Sequence, residues 1–100
     1  MAELPRWKNY NLLESHLADR ILILDGAMGT MIQRYKLSEE QVRGERFQGH
    51  HKDLVRFSDI FCLTHPDKIT EIHRQYLAAG SDIVETNTFG ASVVGMEEFD

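Results

Sequence analysis

The chain has one cysteine, Cys62, and so cannot close a disulfide within itself; this removes cystine-stapled scaffolds from consideration and leaves the cytoplasm as the expected compartment. It has no positive excess either, since 11 Lys and Arg stand against 16 Asp and Glu for a net charge of -5. Neutralising phosphates takes clustered cations, and Glu39, Glu40 and Glu45 interrupt the richest basic stretch, around Arg43 and Arg46, so no nucleic-acid partner is expected. Long apolar runs are missing too. None approaches the ~20 residues that span a bilayer, and Glu3, Pro5, Lys8, Glu14 and Asp19 break up the N-terminal stretch where a signal peptide would be apolar. No membrane partner is expected. Low-complexity tracts and repeats longer than a β/α unit are absent as well.

What is present alternates between two kinds of segment. A hydrophobic content of 42% is enough for a modest core. Leu12, Leu13 and Leu17 share one side of an expected helix over residues 11–18, with Asn9 or Asn11 as its cap. Ile21, Leu22, Ile23 and Leu24 form a continuous apolar run, the pattern of a strand buried on both faces, and Asp25-Gly26 ends it. Met28, Met31, Ile32 and Tyr35 then recur at helical spacing, so a helix is expected over residues 27–35.

Residues 36–58 are polar and irregular, and are expected to form a long excursion with a short helix at residues 38–42; loops of that length usually have a function or cover something. A second strand is expected at residues 60–63. Thr64-His65-Pro66-Asp67 signals a helix start, the stripe Ile69, Ile72, His73, Tyr76 and Leu77 gives that helix its core face, and Gly80 stops it. Ile83-Val84 reads as a third strand, and a further helix begins within residues 91–99. Strands alternating with helices imply an α/β fold with parallel strands. Three short strands cannot close such a sheet, so the chain is expected to be the incomplete first part of a larger α/β architecture. Residues 1–19 form a helical extension and residues 20–100 the start of that domain.

Two strand ends carry the chemistry. Asp25, Gly26 and Met28 lie where the first strand meets a helix, the edge at which parallel α/β folds hold ligands. Free amides there suit a carboxylate and Asp25 suits an ammonium group, which together would read the two ends of an α-amino acid. The alternative is that Asp25 caps the helix and the glycines only make a tight turn. Glu85, Thr86, Asn87, Thr88 and Phe89 follow the third strand, either as a pocket lining or as a polar turn with the next cap. Neither stretch is a P-loop or a dinucleotide fingerprint. His50, His51, His65 and His73 lack metal-ligand spacing, and Cys62 reads as an inert thiol within an apolar run.

The motifs LDGAMGTMIQ at residues 24–33 and AGSDIVETNTFGAS at residues 79–92, with FCLTHPDKITEIHRQYLAAG at residues 61–80 between them, resemble the homocysteine methyltransferase family. The resemblance implies a (β/α)₈ TIM barrel of which this chain supplies the first βα units. It implies that Asp25 takes the amino group of homocysteine, that the Gly26 and Met28 amides take its carboxylate, and that residues 85–89 line the mouth. It further implies zinc, which holds homocysteine as a thiolate. The zinc-binding cysteines are expected beyond Asp100, since Cys62 matches none of them, and no catalytic residue is expected within the chain. RGERF at residues 43–47 resembles the cobalamin-dependent branch, with methylcobalamin and methyltetrahydrofolate acting through further domains. The alternatives are a cobalamin-independent enzyme using betaine or S-methylmethionine, and a non-catalytic binding module.

Overall fold

The computed structural model describes residues 6–99, and the side chains of residues 11–99. Residues 1–5 of the expected extension, and the Asn9 side chain expected as a cap, lie outside what it describes. The first helix, α1, spans Arg6–Asp19, so Asn9 and Asn11 occupy interior positions rather than its start. Its Leu12 and Leu17 are 53% and 56% exposed, so the leucine side found in the sequence is not buried.

Local signals place most of the remaining helices. α2 covers Gly29–Gln33, inside the expected span, and its Ile32 is buried while Met28, Met31 and Tyr35 pack against the same core. α3 covers Glu39–Arg43 and opens with a reciprocal cap: Ser38 Oγ accepts from the Gln41 amide at 3.2 Å, and Gln41 Oε1 accepts from the Ser38 amide at 2.9 Å. α5 covers Pro66–Ala78, with Pro66 at its first position, where the missing N–H costs nothing. Its end is a full Schellman turn. Gly80 has φ 114°, the Gly80 amide donates to Leu77 O and the Ser81 amide to Tyr76 O. α6 covers Val93–Met96, capped by Ser92 Oγ, and runs into a 3₁₀ turn at Glu97–Phe99.

The expected second strand is helical. A 3₁₀ turn at Ser58–Ile60 leads directly into α4, Phe61–Thr64, closed by the His65 amide donating to Phe61 O at 2.8 Å. Four consecutive apolar residues fit a strand and a buried helical turn equally well. Burial decides between them: Ile60 and Phe61 are 3% and 2% exposed but Leu63 is 54% exposed, which is not an alternation of period two.

The polar excursion also departs from expectation, because it supplies the core. Val42 and Leu54 are 1% and 2% exposed and join Ile32, Ile60, Phe61, Ile69 and Ile72. Glu39 makes this possible. Its carboxylate accepts from the Leu54 amide at 2.5 Å, the Val55 amide at 2.7 Å and Arg43 Nε at 2.8 Å, while the Arg43 guanidinium donates to His50 O and to Lys52 O. The backbone of residues 50–55 thus finds side-chain partners in place of a sheet.

The first and third expected strands are two extended segments, residues 21–25 and 81–85, that run parallel and meet at one bridge, Leu24 with Ile83. Asp82 N and Ile83 N donate to Ile23 O at 2.7 and 3.2 Å, and Asp25 N donates to Ile83 O at 2.9 Å. Burial on both faces is not seen: Ile21, Ile23 and Leu24 are 89%, 56% and 50% exposed. Side chains reinforce the pair, with Arg20 gripping both Asp82 oxygens at 3.0 and 2.9 Å and the Ile23 amide donating to Asp82 Oδ2 at 2.9 Å. Arg20, and after it the Ile23 amide, hold the Asp82 carboxyl down at about 2. The radius of gyration is 16.4 Å, against about 13 Å for a close-packed domain of this length. No helix of the described residues is long and apolar enough to cross a membrane.

Candidate active site

Because the two extended segments are parallel and adjacent, their C-terminal ends open on the same side. The structure brings all eight residues singled out at those ends around one cleft of about 280 Å³, lined by Asp25, Gly26, Met28, Glu85, Thr86, Asn87, Thr88 and Phe89. That volume is near the lower end of the roughly 300–1,000 Å³ that small-molecule sites span, a scale suited to an amino acid.

Each residue plays a distinct geometric part. Asp25 Oδ2 accepts from the Glu85 amide at 3.1 Å, so this carboxylate ties one strand end to the other. Among the described residues its Oδ1 has no such bond, which leaves it for a ligand. Asp25 does not cap α2, whose N-cap is Met28 with no side-chain cap. The Gly26 and Met28 amides make no hydrogen bond among the described residues. Thr86 and Thr88 share a hydrogen bond between their hydroxyls at 2.6 Å. Asn87 is 7% exposed and donates its side-chain amide to Ser58 O at 2.8 Å, which ties the second strand-end loop to the 3₁₀ turn at Ser58–Ile60. Phe89 stands wholly exposed at the rim. With two carboxylates, Asp25 and Glu85, and no Lys or Arg among the described residues of its lining, the cleft favours a cationic group.

Two residues that support the site were read otherwise in the sequence. Cys62 is half-buried, and its thiol donates to Asn87 O at 3.3 Å, which steadies the second strand-end loop. Tyr76 had the spacing of a core residue only, and its ring does pack against the core. Its hydroxyl, however, donates to Ala27 O at 2.7 Å, pinning the first loop to α5. Helical periodicity shows which face a tyrosine occupies but not where its hydroxyl ends.

Two of the histidines bond to the backbone, whereas His73 Nδ1 is buried with no hydrogen-bond partner among the described residues. His65 Nε2 donates to Gln41 O at 2.6 Å, joining α5 to α3, and His50 Nε2 meets Phe99 O at 2.5 Å, joining the excursion to the last 3₁₀ turn. Phe57 and Phe99 stack across the same junction, 4.9 Å between ring centres. Among the described residues no three of His, Cys, Asp and Glu come together in a group that could hold a metal ion. A family model described as homocysteine S-methyltransferase matches residues 22–100.

Proposed function

The chain belongs to the homocysteine S-methyltransferase family, and from that premise we propose that its cleft binds the amino-acid end of homocysteine and presents the sulfur for methylation. Membership implies a methyltransferase acting on homocysteine. The observation that carries the rest is one cleft at the ends of two parallel segments, lined by Asp25 and by Gly26 and Met28, whose amides make no hydrogen bond among the described residues. Asp25 Oδ1 takes the ammonium group. The Gly26 and Met28 amides take the carboxylate, as neutral donors that leave the negative charge of the lining to the ammonium. Glu85, Thr86, Thr88 and Phe89 border the thiol-bearing chain, and Asn87 with Cys62 holds their loop in place.

The two parallel segments are read as strands of a (β/α)₈ barrel, with α5 in the crossover between them, since parallel neighbours need such a connection. The finer reading of the enzyme is cobalamin-dependent methionine synthase, supported by RGERF at residues 43–47. In that reading the methyl group comes from methylcobalamin, recharged by methyltetrahydrofolate, and ends on sulfur to give methionine. The described residues do not fit the zinc that the resemblance implies, because no ligand group forms among them and the Cys62 thiol is turned to a backbone carbonyl. The part proposed for this chain is therefore substrate recognition.

Asp25→Ala in the whole enzyme tests the recognition claim. The expected outcome is a homocysteine KM raised by at least about tenfold, the loss of one charge-assisted contact, with zinc content unchanged. An unchanged KM would remove the claim. Activity with betaine or S-methylmethionine that survives removal of cobalamin would move the enzyme to another branch of the family.

A further inference from the structure

The loop carrying Asp25, Gly26 and Met28 is held from behind by one side chain. From α5 the Tyr76 hydroxyl donates to Ala27 O at 2.7 Å. The same hydroxyl lies so close to Gly26 that a Cβ there would sit 3.3 Å from it and 3.4 Å from the ring Cε1, tighter than ordinary contact, so glycine lets the loop settle on the ring. Tyr76 is itself fixed, since its ring packs against the core and α5 carries the buried Ile69 and Ile72. The hydroxyl is thus a rigid post and not a mobile surface group.

Ala27 O belongs to the same peptide unit as Met28 N–H. That unit is planar and trans, so the carbonyl and the N–H point in opposite directions. Anchoring Ala27 O on α5 therefore turns the Met28 N–H away from α5, and Met28 borders the cleft while Tyr76 does not. We propose that Tyr76 is a positioning residue for homocysteine, aiming the Met28 N–H at the substrate carboxylate by holding the Ala27 carbonyl. The inference rests on the amino-acid reading of the cleft and adds the residue that sets its geometry. It places the specificity for an α-carboxylate partly in a hydroxyl that never touches the substrate. Without that hydroxyl the peptide unit is free to rotate, and the N–H must be re-ordered each time the carboxylate binds.

Tyr76→Phe removes the hydroxyl and keeps the ring. In the whole enzyme, homocysteine KM and kcat are measured beside the dissociation constant of decarboxylated homocysteine, a probe that keeps the amine and thiol and lacks the carboxylate. The expected result is a homocysteine KM raised about tenfold, kcat within about twofold, and unchanged affinity for the decarboxylated probe. Equal weakening of both ligands would reduce Tyr76 to a structural role, and no change in either would remove it from recognition; each overturns the proposal. Should Tyr76→Phe fail to fold, Tyr76→Met, which fills much of the same space without a hydroxyl, is put through the same comparison with the same expected split. An Asp25→Ala control separates the two failures: an unchanged homocysteine KM there faults the reading of the cleft, whereas a raised one beside a normal Tyr76→Phe faults only the positioning role.

Discussion

Val42, Phe61 and Ile72 in the helical block are at most 2% exposed, whereas Ile21 on the extended edge is 89% exposed although it opens a continuous apolar run of four residues. The two regions are built from different kinds of contact. Helices α2 to α5 close their own hydrogen bonds, begin and end on local residues, and need only one apolar stripe each to share a core. The segments at 21–25 and 81–85 have one bridge between them, and their remaining edges and faces gain burial only from further neighbours. The candidate site lies at the seam. Its residues sit on the extended edge, while Tyr76 and Cys62, which hold the two loops, come from the helical block.

The largest expected contrast lies in the two apolar sets. Phe61→Ala should destabilise the chain by about 3–5 kcal/mol, the cost of emptying a packed aromatic site. Ile21→Ala in the same chain should stay within about 0.5 kcal/mol, as for a surface change. Denaturant unfolding of the two variants checks both. A cost for Ile21→Ala approaching that for Phe61→Ala would mean that the extended edge is covered, and the contrast would fail.

A smaller effect should appear on acidification. Burial pushes the Glu39 carboxyl up, but the Leu54 amide, Arg43 and the Val55 amide outweigh it and hold the group below its ordinary 4.5. A carboxyl depressed in this way contributes stability that is complete above its unfolded pKa and disappears as pH falls through its folded one. The same sign holds for Asp82 on the extended edge, down to about 2. Glu39→Gln should therefore lower the unfolding midpoint at neutral pH and flatten its fall below pH 4.5, because the variant has no charge left to lose. A pH profile of the midpoint parallel to that of the parent chain would show that the Glu39 clamp does not hold the excursion.

The same division explains what was legible in the sequence. Pro66, Gly80 and the spacing of Met28, Met31, Ile32 and Tyr35 act within one helical turn or two, and each did in the structure what its type and position suggested. The strand expected at residues 60–63 failed because four apolar residues carry no period. The core role of Val42 and Leu54 was hidden because it depends on Glu39 reaching amides far along the chain, which polar composition does not reveal. Asp25 and residues 85–89 could be paired from sequence because parallel β/α order puts strand ends together. The inward turn of Asn87 and the hydroxyl of Tyr76 could not, since both are matters of side-chain direction across the fold.

The most direct test of the central claim, that this cleft reads the two ends of an α-amino acid, is the binding preference for homocysteine over its deamino analogue in the whole enzyme with Asp25→Asn. Asparagine keeps an oxygen for the Glu85 amide and so preserves the tie between the strand ends, while removing the charge that faces the ammonium. The parent enzyme is expected to prefer homocysteine, and Asp25→Asn to lose about tenfold or more of that preference, with an unchanged unfolding midpoint. A preference that survives the substitution intact would contradict it.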